Sequence, residues 1–506
     1  MSIKKKKKLS SEEESQLSFI NTLDRINYTT EQKDFVDMVD GKSCILASTA
    51  GSGKSFCVVQ RLKELLKRRV PPNRMIFFSY TKVATEELQK RIGRDDVKIT
   101  TIHAFALGIL AKTGKFKNII TFHDFIKWYK EKYKPGKSAS YETKNEFYEL
   151  IGNLYEESDY ISSAISAYKL QTADNIRCQV PLFLNQYRDF LRETRSRDFS
   201  DMLIEVRDLL KEDKWLKMFR GQYDYIFVDE YQDTSTIQMQ ILLSLNAKYY
   251  YIIGDRYQAI FGFSGSNCSK IEAMLKSRRE TIEKNLTVNF RSDKSIISNS
   301  NRFSPLKAIS NSKDEGFVRK YIIFQIEAPK DEKNNKKSLD LISVLDSYSE
   351  VAILARTNAV IKKLEFELLK RKYPMRYFNY ITNNDFIEYK KGNIHVNLQE
   401  RLNKLKPFFN DSEMEIFTFI ETNKMSRKLV TSIHKSKGRE FDYCVVVNSI
   451  DPELISEVGL DKVLSPKQLS RLTFDLMDED NVEPRNIHYV AVSRSKHGLF
   501  YMLYDF

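Results

Sequence analysis

The chain has no run of about 18 or more apolar residues, so no stretch reads as a membrane-spanning helix. Residues 1–15, MSIKKKKKLSSEEES, contain no apolar segment, which excludes a secretory signal as the reading of that stretch. Cysteine is scarce. Cys44, Cys57, Cys178, Cys268 and Cys444 are the five present, an odd number, and no two have the spacing of metal ligands. A reduced, cytoplasmic compartment is therefore expected, with neither a cysteine zinc site nor a disulfide framework. The six histidines form no cluster, and no repeat of solenoid type is visible.

What is abundant is positive charge. The 82 Lys and Arg exceed the 68 Asp and Glu, for a net +14. Such a balance favours a polyanionic partner, nucleic acid above all, with a soluble basic protein as the plainer alternative. Hydrophobic residues at 42% and charged residues at 30% are ordinary for a globular protein. The length of 506 residues accommodates about three or four domain-sized units. Lys4 to Lys8 read as part of a solvated basic tail, with a nuclear address or a nucleic-acid arm as alternatives.

Local patterns give the fold class. Glu31 to Val39 reads as a helix with Phe35, Val36 and Val39 on one face. Ser43 to Ala47 reads as a strand, Phe56 to Lys67 as a helix, MIFFSY (75–80) as the next strand, and the segment after Thr81 as a helix capped by that threonine. The runs YDYIFVDE and KYYYIIGD each end in acid. Strands alternating with helices predict a parallel α/β sheet, with ligands at the carboxyl ends of its strands. Residues 110–195 are helical, aromatic and basic, as an inserted domain would be. A second α/β run begins near KNLTVNFRS and returns at VAILARTN and YCVVVNSI.

The stretch ILASTAGSGKSF (45–56) passes from a strand to a helix through small residues. It approaches the phosphate-cradling pattern G-x-x-x-x-G-K-[ST], with Gly53, Lys54 and Ser55 in place and Ser48 where the first glycine is expected. A Gly/Ser turn is the alternative. Asp229 and Glu230 close an apolar strand, where one carboxylate suits Mg²⁺ and the other suits activating a water. A solvated acidic turn is the alternative there. Gln258 can sense a γ-phosphate. Arg291 and Arg494 are either surface arginines or fingers on transition-state charge.

The motifs TTEQK, STAGSGKS, SYTKVATEEL, TTIHAFA, DFSDML, VDEYQDTS, GDRYQAIFGFSG, VNFRS, ARTN, SIHKSKGREFD and YVAVSRSK follow one another in that order. Taken together they resemble the UvrD/Rep/PcrA group of superfamily 1 DNA helicases, from Thr30 to Lys496. The resemblance implies two RecA-like motor domains with parallel sheets, a helical insertion and a stub of a second insertion. The implied bounds are a tail at 1–20, the first motor domain at 21–109 and 196–275, and its insertion at 110–195. The second motor domain takes 276–384 and 429–506, interrupted by a rudimentary insertion at 385–428. ATP and Mg²⁺ are the implied cofactors.

Residue by residue, the resemblance puts Gln32 on the adenine and the loop Ser48, Thr49, Ala50, Gly51, Ser52, Gly53, Lys54 and Ser55 around the triphosphate. Asp229 and Ser55 hold Mg²⁺, and Glu230 is the base. Gln258 is the sensor, Phe290 flanks the nucleotide base, and Glu440 contacts the nucleotide from the second motor domain. Arg291 and Arg494 match the two fingers. Tyr80, Lys82, Thr101, His103, Phe261, Phe263 and His434 match DNA-facing positions. Phe263-Ser264 stands where the family has Trp-Arg, Phe290 where it has Tyr, and Lys82 where it has Asn. The implied activity is ATP-driven 3′ to 5′ movement on single-stranded or tailed duplex DNA, with repair or antiphage defence as settings. The shortness of 385–428 favours an alternative, an ATPase that senses DNA ends or damage and regulates a partner nuclease.

Overall fold

The computed structural model describes residues 27–39, 41–115, 118–136, 138–156, 158–173, 180–260, 266–327, 340–377, 419–420, 422–423, 425–473 and 482–504. Phe261 and Phe263, the tail at 1–20 and most of the expected second insertion lie outside them. The chain divides into two compact units, the first ending at Val288 and the second beginning at Asn289.

The first unit begins with helix α1 (Thr30–Val36), strand β1 (Ser43–Ser48), α2 (Lys54–Lys67), β2 (Met75–Ser79), α3 (Lys82–Ile92), β3 (Lys98–Thr101) and α4 (Ile102–Lys112). Helices α5 (Phe122–Tyr133), α6 (Tyr141–Glu156), α7 (Ser158–Ala173) and α8 (Leu184–Glu193) follow. Then come α9 (Phe199–Leu209), β4 (Tyr225–Asp229), α10 (Thr236–Ser244), β5 (Tyr249–Gly254), α11 (Cys268–Lys276) and β6 (Thr281–Leu286).

The six strands form one sheet in the order β3-β2-β4-β5-β1-β6, every neighbouring pair parallel. A parallel sheet covered on both faces needs apolar residues at successive positions, hence the unbroken runs in β2, β4 and β5. Their side chains alternate between two cores. Ile76, Phe78, Ile226, Val228 and Ile252 face one, while Met75, Phe77, Tyr225, Phe227 and Ile253 face the other. Because β6 pairs with β1, this unit extends past the expected boundary at 275.

Helices α5 to α8 enclose a separate core of Phe122, Phe125, Ile126, Leu154, Tyr187 and Phe190. Lys169 of α7 ties them to α9, with Nζ 2.8 Å from both Asp198 and Asp201.

The second unit carries β7 (Phe317–Ile323), β8 (Val351–Ala355), β9 (Lys428–Ser432), β10 (Phe441–Val447), helix α12 (Val482–Val492) and β11 (Ser495–Met502). Its sheet is also parallel, in the order β9-β8-β10-β11-β7.

Helix α1 is shorter than its sequence suggests, and Val39 is exposed rather than on the packed face. The cause is two arginines of the α2 region. Arg61, fully buried, donates from Nη1 to the carbonyls of Val36 (2.9 Å) and Met38 (2.7 Å), and from Nη2 to the Tyr251 hydroxyl (2.9 Å). Arg68 donates to the carbonyls of Asp37 and Met38. These bonds turn the chain out of the helix while satisfying its last carbonyls. Arg61→Met should therefore strand buried acceptors and lower stability by roughly 2–5 kcal/mol, read as a shift in the urea midpoint. A shift equivalent to less than about 0.5 kcal/mol would show that α1 is anchored by its apolar face alone.

Candidate functional site

Strand β1 ends at Ser48, and the chain then turns through 49–53 into α2. Gly51 (φ 70°) and Gly53 (φ 82°) take left-handed backbone, which explains glycine at both. Ser48 is the extended last residue of the strand, so no glycine is needed there. Its hydroxyl donates to the Gly254 carbonyl at 2.8 Å and ties the loop to β5. The Thr49 amide and hydroxyl both donate to the Leu286 carbonyl, at 3.0 and 3.3 Å, tying it to β6. Ser52 Oγ closes the loop on Thr49 O at 2.8 Å. Gln32, in a capping box with Thr29, points Nε2 at Ser52 O (3.5 Å).

Lys54 and Ser55 open α2, and the Lys54 ammonium lies 3.8 Å from Glu230 Oε1. Asp229 ends β4, and Glu230 follows with left-handed backbone (φ 51°), its amide donating to Asp229 Oδ1 at 3.0 Å. Burial and then the charge of Glu230 push the Asp229 carboxyl above its ordinary range, while Lys54 pulls the other way. A divalent cation would relieve that crowding of negative charge, so the donor set fits Mg²⁺ on Asp229 and Ser55. At the end of β5, burial raises the Asp255 carboxyl, which accepts from Gln258 Nε2 at 2.8 Å.

The second unit gathers another group. Arg291 Nε donates to Glu440 Oε2 at 2.7 Å, and its Nη1 to the Ser493 carbonyl at 3.3 Å. The neighbouring Arg494 is only 1% exposed, bonded to the carbonyls of Val490 and Arg439 at 3.1 and 3.2 Å. Burial works against Glu440 ionising, but Arg291 and then Lys496 outweigh it and hold the carboxyl below its ordinary value. Phe290, beside Arg291, is half-exposed.

Of the positions matched to DNA, Tyr80 and Lys82 flank Thr81, the N-cap of α3, and Lys82 is well exposed. Burial, then the charge of Asp233, pushes the Tyr80 phenol up to about 12, so it stays neutral. The Thr101 hydroxyl accepts from the Ala104 amide (3.1 Å) as the N-cap of α4, a structural use. His103 on α4 is held neutral by burial and meets the ring of Phe199 edge-on, at 5.5 Å between centroids. His434 stands in a one-turn helix after β9.

Two residues escaped the sequence reading. Phe199, a half-exposed ring on α9, has a signal in DFSDML, where an aromatic stands at the helix start. Gln232, between the acids of DEYQD, is fully buried and bonded to Glu230.

Residues 28–279 match the UvrD/REP helicase N-terminal domain. Over that stretch the chain belongs to the UvrD/Rep helicase family. Curated members of this UvrD-like superfamily 1 group are similar over much of its length. A probable DNA helicase II homolog of Mycoplasma capricolum is 27% identical over 71% of this chain and 53% of that protein. The ATP-dependent DNA helicase PcrA of Leuconostoc citreum is 25% identical over 68% of this chain and 49% of its own. A probable DNA helicase of Mycoplasma pneumoniae is 24% identical over 93% of this chain and 82% of its own. The chain thus spans about half the length of the first two of these UvrD/Rep relatives. Among the described residues, no helix is long and apolar enough to cross a membrane.

Proposed function

We propose that the chain is an ATP-driven motor that moves along single-stranded DNA, 3′ to 5′ in keeping with the family resemblance. The observation that carries the ATPase reading is the Lys54–Glu230 pair, 3.8 Å apart at the carboxyl ends of one parallel sheet, beside a loop that opens into a helix N-terminus. Amides at that N-terminus and the Lys54 ammonium suit the triphosphate. Glu230 accepts the proton of the attacking water. Gln32 takes the adenine edge and Phe290 flanks the base. Mg²⁺ on Asp229 and Ser55 neutralises phosphate charge when bound. Gln258 senses the γ-phosphate, and Arg291 and Arg494 take the finger role that the family resemblance implies.

On the DNA side, Tyr80, His103 and Phe199 offer rings, and Lys82 offers a phosphate contact. Ring-to-base stacking tolerates any sequence, as a motor requires. The net charge of +14 supports binding to a polyanion.

The direct test is phosphate release with and without single-stranded DNA, then strand displacement on 3′- and 5′-tailed duplexes. DNA-stimulated hydrolysis with displacement from the 3′ tail is expected. Hydrolysis indifferent to DNA at low salt would remove the motor reading. Tyr80→Ala and Phe199→Ala should each weaken binding to mixed-sequence oligonucleotides by about 1–3 kcal/mol, measured by anisotropy. Unchanged affinity in both variants would move the DNA path elsewhere.

A further inference from the structure

We propose that Gln232 is a positioning residue that holds the Glu230 carboxylate in register with Gln258. The inference rests on the ATPase reading above and deepens it. Gln232 lies in the single helical turn Tyr231–Asp233 that follows β4, and none of it is exposed. Its Nε2 donates to Glu230 Oε2. Its Oε1 accepts from the Asp255 backbone amide at 3.1 Å. The orientation of the side-chain amide is forced, because an ionised carboxylate only accepts and a backbone N–H only donates.

The contacts continue on both sides. Asp255 Oδ2 accepts from Gln258 Nε2 at 2.8 Å, and its Oδ1 from the Tyr257 amide at 3.0 Å. The other oxygen of Glu230 faces Lys54 at 3.8 Å. One polar chain therefore runs from Lys54 through Glu230, Gln232 and Asp255 to Gln258. It joins the phosphate loop to the ends of β4 and β5.

Gly254 makes room for that chain. A Cβ there would stand 2.1 Å from Gln232 Oε1 and 2.8 Å from the Tyr231 ring. Its φ is not in the left-handed region, so the missing side chain serves close approach rather than backbone conformation. The carbonyl of the same residue receives the Ser48 hydroxyl. A glutamine serving only as packing would not need to spend one of its bonds on the reactive carboxylate. Here that bond removes rotational freedom from the base, and the other ties it to the strand end that carries the sensor. Positioning of this kind acts on turnover more than on substrate binding.

The test compares wild type with Glu230→Gln, Gln232→Asn, Gln232→Glu, Gln258→Ala and the double variant Gln232→Asn/Gln258→Ala, using steady-state ATPase kinetics and thermal melts. Asparagine is one methylene too short to reach both partners. Glutamate keeps the size but cannot donate to Glu230, so it carries the test if the shorter variant fails to fold. Both should lower kcat by about tenfold to a hundredfold with the KM for ATP changed by less than about threefold. The double variant should fall no further than the lower single variant, because both substitutions break one chain. Wild-type kcat in Gln232→Glu and Gln232→Asn would overturn the positioning role. Multiplying effects in the double variant would overturn the link to Gln258. If wild type does not hydrolyse ATP, the ATPase reading itself fails; if wild type hydrolyses and Glu230→Gln does so normally, only the base role of Glu230 fails, and either result takes this inference with it.

Discussion

Glu230→Gln is expected to stop ATP hydrolysis while leaving ATP bound. Glutamine has the size of glutamate and keeps an oxygen for Gln232, but it cannot take a proton from water. The loss should be about 10²-fold to 10³-fold or more in kcat, equivalent to roughly 3–4 kcal/mol of transition-state stabilisation. Affinity should hold or rise, because the substitution removes a negative charge 3.8 Å from the Lys54 ammonium. Lys54→Ala should lose turnover by the opposite route. In the proposed role Lys54 offsets phosphate charge, so its loss should lower binding and hydrolysis together. Phosphate release and binding of a fluorescent ATP analogue separate the two. A kcat within about tenfold of wild type in Glu230→Gln would remove its role as base.

The strands were legible because a doubly covered parallel sheet demands continuous apolar runs, and MIFFS, YIFVD and YYYIIG have few other readings. The loop at 48–55 was legible through Gly53-Lys54-Ser55. Its departure at Ser48 made sense only once the hydroxyl was found on the Gly254 carbonyl, a bond spanning 206 positions of sequence. Other features were hidden for the same reason. Gln232 reads as an ordinary polar residue until Gly254 is seen to leave space for it. The early end of α1 depends on Arg61, which in sequence looks like a solvated helix residue. Local periodicity reports which face a residue occupies. It does not report which distant carbonyl or amide it will meet.

The two arginines of the second unit lead to the other large effect. Arg494→Ala and Arg291→Ala should each lower kcat about 10³-fold or more, while nucleotide affinity changes by less than about tenfold. The separation follows from timing. In the proposed finger role, the charge they answer builds as the γ-phosphoryl group leaves, so little of their contribution is felt by bound ATP. Their surroundings set the controls. Arg494 is held at Nε and Nη1 by two carbonyls, which aim a planar fork that an ammonium cannot reproduce. Arg494→Lys should therefore recover little of the lost rate despite keeping the charge. Arg291 is paired with Glu440 at 2.7 Å, so Arg291→Ala also leaves a carboxylate without that partner. Arg291→Ala/Glu440→Gln removes that complication and should remain as slow as Arg291→Ala alone. Steady-state ATPase at saturating ATP, with melts to verify folding, decides the matter. A folded Arg494→Ala protein turning over within about tenfold of wild type would assign Arg494 to the packing of α12 against β10 and leave the transition state to other groups.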